Sequence, residues 1–372
     1  MKKIEAKIVA DSINQQGDRI TTYLLTFPRF ILAELNTHRV FSKNSASSRA
    51  IPFHKMVEMV ETDPFIPIAW QKEHKGMQGS EYITDEKLIN RCKEVWLHAK
   101  DNAVERACEL HGDNWIEPEN EHLLLDVTKQ LCNRLLEPFI WHTVLLTGTE
   151  FKNFFELRCP VYETEIGVFK SKRDALISYA EGGVMANLPI TDLEWLQINS
   201  SQAEIHMQAL AEAMWDAMNE STPKELKAGE WHIPFGDQMD EDKIETLLRG
   251  PYRASYVRKE GDVQQAKIEI ATARCARLSY MTFDGEIDYE KDLKLYDTLL
   301  KSHHMSPFEH CARAMSIKEC NTFIKGELTL EKVTQNSQHY KMGREDRRNI
   351  GWCNNYKGFI QYRYLIENDY EP

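Results

Sequence analysis

The chain has 372 residues, 46 of them Lys or Arg against 58 Asp or Glu, for a formal charge of −12. A hydrophobic content of 42% with 17 Gly and 13 Pro is that of an ordinary globular protein, which excludes disordered and fibrous classes. The acidic balance argues against broad electrostatic binding to nucleic acid, and no apolar run reaches the ~18 residues of a membrane span. Eight scattered cysteines without a C-x-x-C pair predict reduced thiols. The N-terminus alternates apolar and charged residues rather than building a signal peptide, so a cytoplasmic protein is expected.

Residues 3–10 and 19–26 are short, apolar and separated by Gln15, Gln16 and Gly17, which predicts a strand pair. Pro28 then opens a short helix through Arg39. From Thr84 to Leu110, apolar residues including Leu88, Cys92, Val95, Ala103 and Ala107 recur at helical spacing and predict a long amphipathic helix. Helix is also expected over 121–133, stopped near Pro138, and strand then helix over 143–158. Residues 160–200 read as an insertion, and 201–219 as a helix. The Pro- and Gly-bearing stretch 221–240 is the best boundary, giving units 1–220 and 221–372 that form one intertwined whole. Beyond it, helices are expected near 241–248, 264–277 and 288–301, a strand near 312–317, and an aromatic tail. The sum is an α/β (α+β) fold, a mixed sheet packed by long helices.

Between Leu35 and Val57 stand Arg39, Lys43, Arg49 and Lys55 with no acidic residue, interleaved with Ser42, Asn44, Ser45, Ser47 and Ser48. Cations among short hydrogen-bonding side chains suit a small anion such as a nucleotide phosphate, although the same residues would serve a solvated Ser-rich loop. A second polar cluster, SHHMSPFEH at 302–310, holds three histidines and a glutamate. Adjacent His303 and His304 cannot both face one ion on a helix, and no H-E-x-x-H spacing occurs, so no metal is expected. Arg134 and Arg158 follow apolar stretches and want a carboxylate, a phosphate or a planar acceptor pair; an internal ion pair with Glu137 or Glu156 would answer equally. Neither a P-loop, a G-x-G-x-x-G fingerprint nor a G-x-S-x-G elbow is present.

The run THRVFSKNSASSR at 37–49 resembles the R-H-R-x-x-S-x-N-x-x-S-x-R signature of the flavin-dependent thymidylate synthases, with His38, Arg39, Ser42, Asn44, Ser47 and Arg49 in register. Arg134 to Pro138, Asn153 to Arg158, SQAEI at 201–205, ARCARLSY at 273–280 and SPFEH at 306–310 resemble further family segments. Here the last two follow the arginine signature rather than precede it, so the chain looks like an enlarged, motif-permuted member of the kind bacteriophages encode, which would work in a host cytoplasm. The resemblance implies conversion of dUMP to dTMP, with carbon from methylenetetrahydrofolate and hydride from FAD reduced by NADPH. It implies that Ser47, Ser48, Arg49 and Arg134 hold the nucleotide, that Arg158 is a catalytic residue on the uracil edge, and that His304 places the methylene donor. His38, Arg39, Asn153, Ser279, Ser306 and Glu309 would hold FAD. A homotetramer is expected by the same resemblance. Thr37, Ser45, Thr147 and Thr149 depart from the family pattern, and Gln361 or Arg363 in the tail would enter the site in compensation. Rival readings are a flavin- and folate-dependent hydroxymethylase, a methylase of another pyrimidine nucleotide, a nucleotide-binding protein without catalysis and, last, a metal-dependent hydrolase.

Overall fold

The computed structural model describes residues 2–76, 79, 81–112, 125–182, 189, 191–249, 263–278, 288–323 and 350–368. Strands β1 (Glu5–Asn14) and β2 (Arg19–Pro28) form an antiparallel hairpin. In its turn the Asn14 carboxamide oxygen accepts from the Gln16 and Asp18 amides, and Gly17 adopts φ 86°, a left-handed conformation that side chains disfavour. A 3-10 turn leads into α1 (Leu32–Thr37), then the short strand β3 (Ser42–Ser45). Helices α2 (Phe53–Thr62), α3 (Glu86–His111) and α4 (Lys129–Leu135) follow, then β4 (Trp141–Gly148) and α5 (Lys152–Arg158).

The described residues of 160–200 include a small apolar cluster of Tyr162, Ala175 and Trp195. They supply the hairpin β5 (Tyr162–Thr164) and β6 (Gly167–Phe169), with α6 (Lys172–Gly182) and α7 (Asp192–Gln197). Next come α8 (Ile205–Glu220), β7 (Lys224–Leu226), β8 (Trp231–His232), α9 (Glu241–Arg249), α10 (Val263–Ala276) and α11 (Tyr289–Lys301). Strand β9 (Ala312–Ala314), α12 (Ile317–Thr322), β10 (Trp352–Cys353), β11 (Tyr356–Lys357), β12 (Phe359–Gln361) and α13 (Tyr362–Glu367) complete the described chain.

The main sheet has the order β3-β4-β2-β1-β7, antiparallel throughout except for the parallel pair β1 and β7. Side-chain alternation gives it two apolar faces. Tyr23, Leu25, Phe27, Val144 and Leu146 pack on α5 and α8 through Phe154, Phe155, Met207 and Leu210. Leu145 and Leu24 face the opposite way, towards α10, α11 and Phe308. Helix α10 is buried along nearly its whole length, so its sequence lacks a polar face and its periodicity is weak. A mixed sheet packed by helices is therefore the fold, as read from the sequence.

Several elements differ from that reading. The 221–240 stretch is not all loop: it adds β7 to the main sheet, beside strands of 1–220, and β8 to a second sheet of order β12-β9-β8 whose strands all belong to 221–372. In the 121–133 segment, residues 121–124 lie outside the described residues, and helix starts only at Lys129 under a Thr128 hydroxyl cap. Glu204 of SQAEI precedes α8 and caps it, its carboxylate accepting from the His206 and Met207 amides. Along α3 the expected apolar stripe is only half used. Val104 and Ala107 pack on α2 and α4, whereas Leu88 and Val95 are 56% and 54% exposed. Among the described residues no helix is long and apolar enough to cross a membrane.

Candidate active site

The signature segment is held at the edge of the main sheet by its own polar side chains. Lys43 Nζ donates to the carbonyls of Leu35 (3.2 Å) and His38 (2.7 Å), placing a cation on the open C-terminus of α1. Burial lowers that ammonium to about 8. On β3 the buried residues alternate: Asn44 donates to the Cys275 carbonyl of α10 (3.1 Å), and Ser42 Oγ accepts from Asn355 (3.1 Å) and Gln361 (3.2 Å) of the tail. Past β3, Asn133 is fully buried and donates to the carbonyls of Ser48 (2.7 Å) and Ile51 (3.1 Å), which ties the serine loop to α4. The loop thereby turns Ser47 and Arg49 outward and Ser48 inward, where its hydroxyl donates to Glu137 at 2.7 Å. Glu137 also receives Arg134 (3.5 Å) and Arg29 (3.6 Å), so the ion pair weighed for Arg134 exists, with a guanidinium still 53% exposed. Beneath the loop lies a cavity of ≈ 450 Å³ lined among others by Lys2, Lys3, Ser48, Trp141 and Thr143.

Arg158 ends α5 at a different station. Its Nε donates to His38 Nε2 at 3.0 Å and its Nη1 meets Glu34 Oε2 at 3.2 Å. Burial, then the positive charges of Arg158 and Lys43, hold His38 down to about 4, so the imidazole is neutral. The structure thus gives the ring nitrogen expected near a flavin to a guanidinium.

A cavity of ≈ 480 Å³ joins the signature to the C-terminal half. Arg39 and Phe41 line it with Glu309, Asn354, Asn355, Gln361, Arg363 and Glu367. Arg363 bridges Glu309 (2.8 Å) and Glu367 (2.9 Å), while exposed Arg39 makes no ion pair among the described residues. Glu309 is carried on the 3-10 turn Ser306–Glu309, whose shape follows from Pro307 near its start. Tyr356 Oη clamps that turn by donating to the Glu309 carbonyl at 2.8 Å. His310 anchors it from below through Thr147 (2.8 Å), at the end of a buried chain that continues through Thr22 and His232 to Ser12. Full burial lowers His310 to about 3 and His232 to about 4, so both stay neutral, and His310 Nε2 has no partner among the described residues.

Of the FAD candidates, then, Arg39 and Glu309 meet in one cavity. His38 is turned to Arg158, Asn153 is exposed on α5, and Ser306 is half-buried. Ser279 lies outside the described residues. His303 (φ 53°) and His304 are exposed at the end of α11, whereas His310 is inside. Among the described residues no group of three His, Cys, Asp or Glu side chains could hold a metal ion. Gln361 and Arg363 do enter the cavity. Thr147 serves the buried chain instead, Thr149 accepts from the Lys357 amide, and Thr37 donates to the Glu34 carbonyl. Asn133, Asn355, Tyr356 and Glu34 were not singled out from the sequence. Asn133 adjoins Arg134 and Asn355 lies within the aromatic tail, but no spacing announces contacts made across ~85 to ~310 residues of chain.

An arginine-serine loop, a clamped arginine and a polar cavity together offer cations and hydrogen-bond donors to an anionic ligand. Residues 263–370 match the sequence model of the family described as thymidylate synthase complementing protein, which bears out the resemblance read from ARLSY and SPFEH. No curated protein matches the chain. Among solved structures it is loosely similar to UMP/dUMP methylase PolB from Streptomyces cacaoi bound with 5-Br UMP (14% identity, TM-score 0.37, 59% of this chain and 90% of that one). The same methylase bound with 5-Br dUMP gives 12% identity, TM-score 0.38, and coverage of 59% and 91%.

Proposed function

We propose that this chain is a flavin-dependent methylase that converts dUMP to dTMP, with methylenetetrahydrofolate as carbon donor, FAD as cofactor and NADPH as reductant. The observation that carries the reading is the cavity in which Arg39 and Phe41 of the arginine signature meet Glu309 of SPFEH, two motifs some 270 residues apart in the chain. Its lining suits a flavin dinucleotide. Two guanidiniums and three carboxamides offer donors to a diphosphate and to ribityl hydroxyls, and Glu309 can accept in return. Arg39, Glu309, Asn355 and Gln361 would hold FAD, which supplies the hydride that completes the methyl group.

The chain's own residues do the rest. Ser47, Arg49 and Arg134 take the nucleotide phosphate, whereas Ser48, expected there from the sequence, is buried with its hydroxyl on Glu137. Arg158 lies against the uracil edge and stabilises negative charge as C5 becomes nucleophilic. C5 then bonds to the methylene carbon as one of that carbon's two bonds to folate nitrogen opens; C5 gives up its proton to solvent as the second carbon–nitrogen bond breaks and tetrahydrofolate leaves. His304, exposed just past the end of α11, would orient the folate. The outward setting of Ser47, Arg49 and Arg134 fits a site closed by a second copy in a homo-oligomer.

The test is the visible spectrum of the protein with FAD, followed anaerobically with NADPH, with and without dUMP, and then the mass of the nucleotide product. Flavin binding, dUMP-sensitive bleaching and a gain of one methyl group are expected. A protein that cannot be loaded with FAD would overturn the reading.

A further inference from the structure

We propose that Glu34 and His38 are positioning residues for Arg158, and that His38 serves the nucleotide through that guanidinium rather than by touching the flavin. The inference rests on the reading of dUMP as substrate. The Arg158 side chain is 22% exposed, so one part of its head is inside and another faces out. Of the five N–H groups on a guanidinium, the Nε–H goes to His38 and one Nη1–H to Glu34, leaving three on the terminal nitrogens. Two contacts in different directions fix both the plane and the rotation of the head, which a single ion pair would not do.

Each partner is itself held. The His38 ring meets Phe154 edge-on, with centroids 4.9 Å apart at 84°, and lies 6.2 Å from Phe41. Its backbone carbonyl is fastened by Lys43. Because His38 Nε2 accepts from Arg158, the ring proton belongs on Nδ1, and a protonated ring could not make this contact. Glu34 sits on α1, one turn before His38, so one helix end presents both clamps to the end of α5. A fixed guanidinium loses little freedom when substrate arrives, whereas a free one must be ordered at that moment.

Calorimetric binding of dUMP and, separately, of FAD to wild type and to the Glu34→Ala, His38→Ala, Arg158→Ala and paired variants tests this. Glu34→Ala is expected to weaken dUMP about tenfold, the equivalent of one freed long side chain, with FAD affinity unchanged. Glu34→Gln keeps an acceptor and should recover part of the loss. The doubles His38→Ala/Arg158→Ala and Glu34→Ala/Arg158→Ala should bind dUMP no more weakly than Arg158→Ala alone. Additive losses, tighter dUMP binding by Glu34→Ala, or a loss confined to FAD in His38→Ala would each overturn the inference while dUMP binding by wild type leaves the functional reading intact. No dUMP binding by wild type would overturn both. Glu34 is half-buried with its side chain 38% exposed, more open than His38, so its variants keep the test decisive if His38→Ala does not fold.

Discussion

The two arginine stations of this molecule are built differently. Arg158 is gripped by an imidazole and a carboxylate within an aromatic surround, whereas Arg134 is 53% exposed with one long ion pair, and Arg49 is exposed on its loop. A charge that must meet a developing anion gains from being fixed before the reaction, because no reorganisation is then needed at that moment. A charge that meets a phosphate already fully charged can be ordered by the ligand itself. The backbone beneath the serine loop, rather than its cations, is what the fold holds still, through Asn133.

The largest effect should come from the gripped station. Arg158→Ala is expected to lower turnover by about 10²–10³, with far less change in FAD affinity, and Arg158→Lys should not restore it because a point charge cannot make both contacts. Equal losses of turnover and FAD binding would erase the distinction between the stations. Asn133→Ala leaves two buried carbonyls without their donor and should cost about 1–3 kcal/mol in denaturant unfolding, with weaker dUMP binding in the folded protein. Unchanged stability would show that the loop is held by other means.

The buried histidines under the SPFE turn give a pH test. His232 (about 4) and His310 (about 3) lie below the ordinary 6.5 of a histidine, so the unfolded chain takes up protons first as the pH falls. Their contribution is full above about pH 6.5 and is lost progressively as acid brings the pH down through 4 and then 3. His232→Asn should flatten that slope; an unaltered slope would remove the histidine from it. Smaller effects belong to the open station. Arg49→Ala and Arg134→Ala should each weaken dUMP by about tenfold or less, as exposed cations do. Glu137→Gln, which releases Arg29 and Arg134 from a carboxylate, should tighten dUMP by roughly twofold to threefold. Weaker binding there would mean that Glu137 orients these arginines rather than competes for them.

Much of this was legible in the residues taken alone. The β1–β2 hairpin followed from two apolar runs around a Gly turn and α3 from its long repeat, and a helix was expected where α11 lies. Those patterns are set by neighbours in the chain, and local backbone geometry is what periodicity encodes. Element ends were less legible. Glu204 looks like the first turn of a helix and acts as its cap, and β7 is three residues that only β1 makes into a strand.

What the sequence determined by itself was the chemistry available: a loop of cations among serines, isolated arginines and a turn that carries Glu309, with no metal-ligand spacing. Which of these meet was decided by tertiary structure. The sheet order sets β3 beside β4, packing lays α5 against the end of α1, and the tail brings Gln361 and Arg363 to Arg39. The physical reason is that a motif records residue types at short spacing, whereas a guanidinium's partner is whatever acceptor the fold carries within about 3 Å of it, at any distance along the chain.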